Sequence, residues 1–146
     1  MRIRRSEAEA ALDRAGVRRT TQRQLLLEYL YEKLSHPSAE QLHRAIYQDF
    51  PREVSMPTVY KNLKVLKRLG LVQEFYLHGS SVARYDTDVT VHHHLVCMDC
   101  GSVEDCYAGP VAGAVAASLG AGFVPVQLYM EISGRCKECM LQKAIS

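Results

Sequence analysis

Four cysteines fall at two identical spacings, Cys97-Met-Asp-Cys100 and Cys136-Lys-Glu-Cys139. Two Cys-x-x-Cys pairs offer four thiolates, enough to close a tetrahedral zinc shell. Three histidines, His92-His93-His94, stand just ahead of the first pair. Soft sulfur beside harder imidazole points to two metal sites of different chemistry. The 35 residues between Cys100 and Cys136 exceed the spacing of a compact zinc ribbon. A filled shell of four cysteines also leaves no open position for a substrate. The cysteines therefore predict a structural staple between distant strands.

The histidines suggest a different use. On a strand, His92 and His94 share one face and His93 points away. Asp86 and Asp105 are nearby oxygen donors, and His36 is a further imidazole from the other half of the chain. Such an N/O set suits Fe(II), Mn(II), Zn(II) or Ni(II). His43 and His78 stand alone and read as polar surface; Cys106 reads as a small core residue. Two other chemistries compete. A zinc hydrolase could use His92, His94 and Asp105, but no H-E-x-x-H helix, nucleophile elbow or phosphate loop accompanies them. A thiol redox protein would cycle its Cys-x-x-Cys pairs without zinc.

The elements that must carry these residues follow from caps and periodicity. Residues 6–15 predict a short helix capped by Ser6 and ended by Gly16. Thr20 or Thr21 caps a second helix to about Leu34, with Leu25, Leu26, Tyr29 and Leu30 at helical spacing. Ser38 and Gln41 form a capping box for a third, ended by Pro51. Ser55 or Met56 opens a fourth, with Pro57 in its first turn and Val59, Leu63 and Leu66 as its stripe, stopped by Gly70. Residues 71–77 and 81–86 predict a hairpin around His78-Gly79-Ser80. Helices followed by a hairpin make a winged helix-turn-helix whose fourth helix is the reader. Beyond it the chain reads as α+β. Short strands lie at 95–98 and 102–104, an Ala-rich helix at 110–119 and an alternating strand at 125–133; a C-terminal helix follows. The expected fold is α+β, a winged helix at residues 1–86 and a small α/β domain at 87–146.

The 146 residues are 47% hydrophobic and 23% charged, the balance of a globular protein. No apolar run approaches the roughly 20 residues that span a bilayer, and the basic first residues lack an apolar stretch, so no secretory signal is expected. A cytoplasmic location is expected. The net charge of +2 conceals an asymmetry: residues 1–78 hold 14 Lys/Arg against 9 Asp/Glu, and residues 79–146 hold 4 against 7. A basic half predicts a polyanion and an acidic, Cys/His-rich half predicts cations. The fourth helix carries Lys61 and Lys64, with Ser55, Thr58, Tyr60 and Asn62 at or near its start; Arg18, Arg19 and Arg23 surround the start of the second. In a helix-turn-helix these positions meet bases and phosphates, so double-stranded operator DNA is the expected partner.

Seven stretches then resemble the ferric uptake regulator family: residues 16–23, 36–40, 58–63, 70–72, 92–94 and the two cysteine pairs. The resemblance implies a C-terminal dimerisation domain and hence a homodimer, a structural Zn(II) on Cys97, Cys100, Cys136 and Cys139, and a regulatory Fe(II) or Mn(II). The regulatory ligands would be His36, Asp86, His92, His94 and Asp105. Aspartate at both carboxylate positions is similar to the peroxide-sensing branch. An additional metal site of many iron and zinc regulators has His93, Ala112 and Leu128 where its ligands would align. The resemblance therefore implies a non-enzymatic, metal-dependent repressor in which peroxide and iron lead to oxidation of a histidine ligand, His36 or His92. Losing that ligand would open the angle between the domains and release DNA. An Fe, Mn or Zn homeostasis regulator without peroxide chemistry is the alternative.

Overall fold

The computed structural model describes residues 2–107 and 109–145, the Ala112 side chain excepted. It divides into two compact units, Met1–Thr90 and Val91–Ser146. The first unit keeps residues 87–90 because its own N-terminal arm holds them. The Ile3 N–H donates to Thr87 O at 2.9 Å, and Arg2 Nε donates to Thr87 Oγ1 at 3.0 Å.

In the first unit, α1 (Arg5–Arg14), α2 (Thr21–Glu28), α3 (Ala39–Asp49) and α4 (Met56–Arg68) precede a hairpin of β1 (Gln73–Tyr76) and β2 (Ala83–Asp86). Thr20 caps α2 through the Arg23 N–H at 3.2 Å. Ser38 and Gln41 bond reciprocally at the start of α3, at 3.1 and 2.9 Å. Ser55 caps α4 and Pro57 lies in its first turn. The start of α1 differs from expectation. Arg4, not Ser6, is the cap, because the Glu7 carboxylate accepts the Arg4 N–H at 2.7 Å. An ionised acceptor at a helix N-terminus outcompetes a hydroxyl. The expected single helix to Leu34 is instead α2 followed by a π-helical turn, Tyr29–Lys33, closed by Leu34 N–H to Tyr29 O at 2.9 Å. The wider turn lets Tyr29, Leu30 and Tyr31 all be buried. Leu26, Leu27, Leu30, Leu42, Ile46, Val59, Leu63 and Leu66 fill the core between α2, α3 and α4.

Tyr31 ties this core to the wing by donating its hydroxyl to Leu71 O at 2.6 Å. Burial pushes its phenol well above the ordinary range. A raised folded-state value means the neutral form is favoured. Its contribution to stability is complete below pH about 10 and is lost as pH rises through the folded value. Alkaline titration of the melting temperature should show this decline in the native chain and a shallower one in Tyr31→Phe. Tyr85, pushed up to about 12 by burial, would supply the remaining slope. At neutral pH the variant should lose about 1 kcal/mol through the abandoned carbonyl. Parallel declines above pH 10 would clear Tyr31 of the effect.

The second unit is built on β3 (His93–Cys97). It pairs antiparallel with β4 (Val103–Cys106) and parallel with β5 (Glu131–Gly134). Helices α5 (Gly109–Ala117) and α6 (Lys137–Ile145) complete it. The strand expected from residue 125 begins at Glu131. β5 meets β3 from His94↔Glu131 onward, near the beginning of β3, and Met130 O accepts the His94 N–H at 3.1 Å, so residues 125–129 lie beyond the ladder. Among the described residues of this unit, the buried apolar side chains are Cys97 and Val103.

Candidate metal centres and nucleic-acid interface

Cys97 ends β3, and Cys100 lies in the turn leading to β4. That turn is closed by the Gly101 N–H to Cys97 O at 2.9 Å, with Gly101 at φ +76, a conformation glycine adopts without strain. Cys136 immediately precedes α6 and Cys139 falls in its first turn. The Met98 N–H donates to Gly134 O at 2.8 Å and draws the two turns together. All four Sγ atoms lie within 4.8 Å of one another, and Cys100 and Cys136 are 3.8 Å apart. A tetrahedron with Zn–S bonds of about 2.3 Å has S···S edges of about 3.8 Å, so these residues fit a structural zinc.

The surrounding backbone favours thiolate. N–H groups of Cys100 and Cys136 bring the Cys97 thiol down to about 6. The Ser102 hydroxyl, then its N–H, lowers Cys100. Cys139 is pushed up, chiefly through Cys136, because crowded thiols do not all ionise beside one another. A divalent cation among them reverses that preference.

The harder donors form one set in each unit. In the first, His36 is held at φ +50, unusual for a residue with a side chain. It is held there by Arg84 Nε, which donates to His36 O, and by the Tyr85 N–H, which donates to Pro37 O at 2.9 Å. Residues 36–38 thus run beside β2, and His36 Nε2 lies 3.2 Å from Asp86 Oδ2. Ser35 Oγ is 2.7 Å from His36 Nδ1, and the Phe75 ring meets the imidazole edge-on at 5.8 Å. In the second unit, His94 pairs with Asp105 across β3 and β4. Asp105 Oδ1 is 3.0 Å from His92 Nε2 and 3.5 Å from His94 Nε2, and the two rings are 4.8 Å apart. His93 faces away, and its Nδ1 accepts the Met130 N–H at 3.0 Å. Each set joins imidazole nitrogen to carboxylate oxygen, the donors that Mn(II) and Fe(II) accept.

Sequence reasoning missed the groups behind these donors. Tyr107 packs on His92 at 5.6 Å, and the Tyr129 hydroxyl lies 3.0 Å from His94 Nδ1. Tyr129 is 35 residues from His94, and no local pattern marks it.

The Ferric uptake regulator family matches residues 14–132. The chain belongs to that family. It is 38% identical, over 91% of its length and 89% of the relative's, to the Peroxide-responsive repressor PerR of Staphylococcus aureus. Its structure resembles that of PerR from Streptococcus pyogenes at 26% identity and a TM-score of 0.53, covering 95% of each chain. It also resembles the ferric uptake regulator of Pseudomonas aeruginosa with manganese at 26% identity and a TM-score of 0.63, covering 89% of this chain and 98% of that one.

This member of the family presents its expected DNA residues unevenly. Lys61, Lys64 and Tyr60 are exposed on α4, and the Tyr60 hydroxyl donates to Glu40. Ser55 and Thr58 lie at the N-terminus of that helix, with their hydroxyls 2.9 Å apart. Arg18 and Arg19 are exposed, although Arg19 grips Asp13 at 2.7 Å. Asn62 is turned inward. Its amide donates to Thr58 O at 2.8 Å and accepts from Arg23 Nε at 2.8 Å, so it joins α4 to α2. At that position the side chain fixes α4 against α2 rather than facing outward. Of the three positions aligned with the additional metal site, His93 bonds to backbone, Leu128 is half-buried, and the Ala112 side chain is outside the described residues.

Proposed function

We propose that this chain is a metal-dependent, DNA-binding transcriptional repressor that responds to peroxide. The observation that carries the reading is the pair of His/Asp sets, one in each unit, in a chain 38% identical to a peroxide-responsive repressor. His36 and Asp86 from the winged helix, with His92, His94 and Asp105 from the second unit, would hold one regulatory Fe(II) or Mn(II). Ligands drawn from both units bias the protein toward a single relative orientation of the two, since only that form satisfies the whole set. In a homodimer that orientation fixes the spacing of two α4 helices against successive major grooves. A second copy would cover Phe123, Val124 and Val126, which are 68%, 81% and 98% exposed beside α5. Exposed apolar surface of that kind marks an association face.

When bound, Fe(II) supplies the redox chemistry that lets peroxide attack a neighbouring imidazole. In the net reaction one peroxide oxygen would become an oxo group on a ring carbon of His36 or His92, the hydrogen of that carbon would move to a ring nitrogen, and the other oxygen would leave with both peroxide hydrogens as water. The modified ring is a poorer donor, so the two units are released from one another. Aspartate at both 86 and 105 supports this reading over metal homeostasis alone.

Fluorescence anisotropy on operator DNA, with Mn(II) or Fe(II) and with or without peroxide, tests it. Either metal should tighten binding. Peroxide should abolish binding only in the Fe(II) form, with one oxygen added to the intact mass. Metal-indifferent affinity would remove the switch, and a bound, unoxidised Fe(II) form would remove the peroxide response.

A further inference from the structure

His94 meets different partners through its two ring nitrogens. Nε2 faces Asp105 Oδ1 at 3.5 Å, and Nδ1 faces the Tyr129 hydroxyl at 3.0 Å. A neutral imidazole has one nitrogen with a free lone pair and one that carries the proton. Nε2 can bond a metal only if the proton is on Nδ1, so whatever meets Nδ1 decides how readily the ring serves as a ligand.

The backbone puts Tyr129 in that position. The His94 N–H donates to Met130 O at 3.1 Å, and the Met130 N–H donates to His93 Nδ1 at 3.0 Å. Residue 130 is thus held against β3 through both its carbonyl and its amide, which fixes the adjoining Tyr129. The Tyr129 ring lies against the His94 ring at 5.8 Å and 59°. His93 gains a role here: its Nδ1 accepts from backbone, so its proton is on Nε2, and the ring clamps the segment that carries Tyr129. Tyr129 itself is 47% exposed, so packing in a core does not account for its position.

We propose that Tyr129 is a positioning residue for metal binding. Its hydroxyl oxygen accepts a hydrogen bond from the His94 Nδ1–H and fixes the tautomer whose Nε2 lone pair faces Asp105. This rests on the reading of His94 as a regulatory ligand. Outer partners of this kind change metal affinity by about tenfold to a hundredfold.

The test uses full-length protein with the cysteine site filled by zinc and Co(II) as the probe, comparing the native chain with Tyr129→Phe and His94→Ala. Tyr129→Phe should keep its zinc and its metal-free melting temperature. Its Co(II) affinity should fall by about tenfold or more. The hyperfine-shifted His94 ring N–H resonance, protected in the native Co(II) form, should exchange rapidly with water in Tyr129→Phe. A merely structural tyrosine would not move that resonance. If Tyr129→Phe binds Co(II) like the native chain with the resonance unchanged, the positioning role is overturned, while loss of Co(II) in His94→Ala still upholds the ligand. If His94→Ala binds Co(II) normally, the ligand reading falls and the positioning role falls with it.

Discussion

Cys136→Ser should release zinc and unfold the second unit while leaving the winged helix folded. The difference lies in where each unit's stability comes from. The hydrophobic core, from Ala8 to Tyr85, belongs entirely to the first unit. The second unit buries only Cys97 and Val103 among its described apolar residues, and a unit of that size without a core needs another staple. Four thiolates supply one by tying the β3–β4 turn to the start of α6. Structural zinc contributes on the order of 10 kcal/mol to the folding of small domains, comparable with the whole stability of a typical domain. Elemental analysis should show zinc lost from the variant. Hydrogen exchange should show protection lost over 93–106 and 131–145 but kept in α2, α3 and α4. Protection retained in the second unit without zinc would show that the staple is dispensable. A zinc-free native protein that forms a reversible disulfide within Cys97–Cys100 or Cys136–Cys139 would instead restore the redox reading.

Local chemistry explains which features were legible in the sequence. Ser38 with Gln41, Ser55 with Pro57, and the alternation of His92 and His94 each encode their geometry within a few residues, and each reads through to the structure. The cysteine spacing was legible because four sulfurs have few ways to be satisfied. Features set by competition or distance were not. Arg4 caps α1 because the Glu7 carboxylate outcompetes Ser6. The π-helical turn at Tyr29–Lys33 arises from burying three consecutive large side chains, which periodicity alone does not register. Asn62 has the residue type of a base reader, yet Arg23, 39 positions away, claims its amide oxygen. The alternation at 125–129 has the pattern of a strand, but a strand also needs a neighbour. Tyr129 reaches His94 only through the register of β3 against the segment leading to β5.

His92→Ala and His36→Ala should each abolish the regulatory metal response while keeping the zinc. His92 contributes its Nε2 to the Asp105 set in the second unit, and His36 contributes its own to the Asp86 set in the first. Loss of a direct ligand should cost more than loss of an outer partner, hence more than about a hundredfold in Mn(II) affinity, or about 2.8 kcal/mol. Calorimetry on zinc-filled protein would measure that loss. Operator binding should then fall to the metal-free level in both variants, because the basic face of α4 remains and only the bias on domain orientation is gone. The pair of variants also asks whether one metal is shared. If both abolish Mn(II) binding, the ion draws on both units, and a ligand lost from either one uncouples DNA binding from the metal. If only His92→Ala does so, the metal belongs to the second unit alone, and His36 with Asp86 must serve the winged helix in some other way. A shared ion makes the winged-helix orientation depend on a histidine that peroxide can modify. An ion confined to the second unit would leave that orientation to protein contacts and remove the physical basis for the switch.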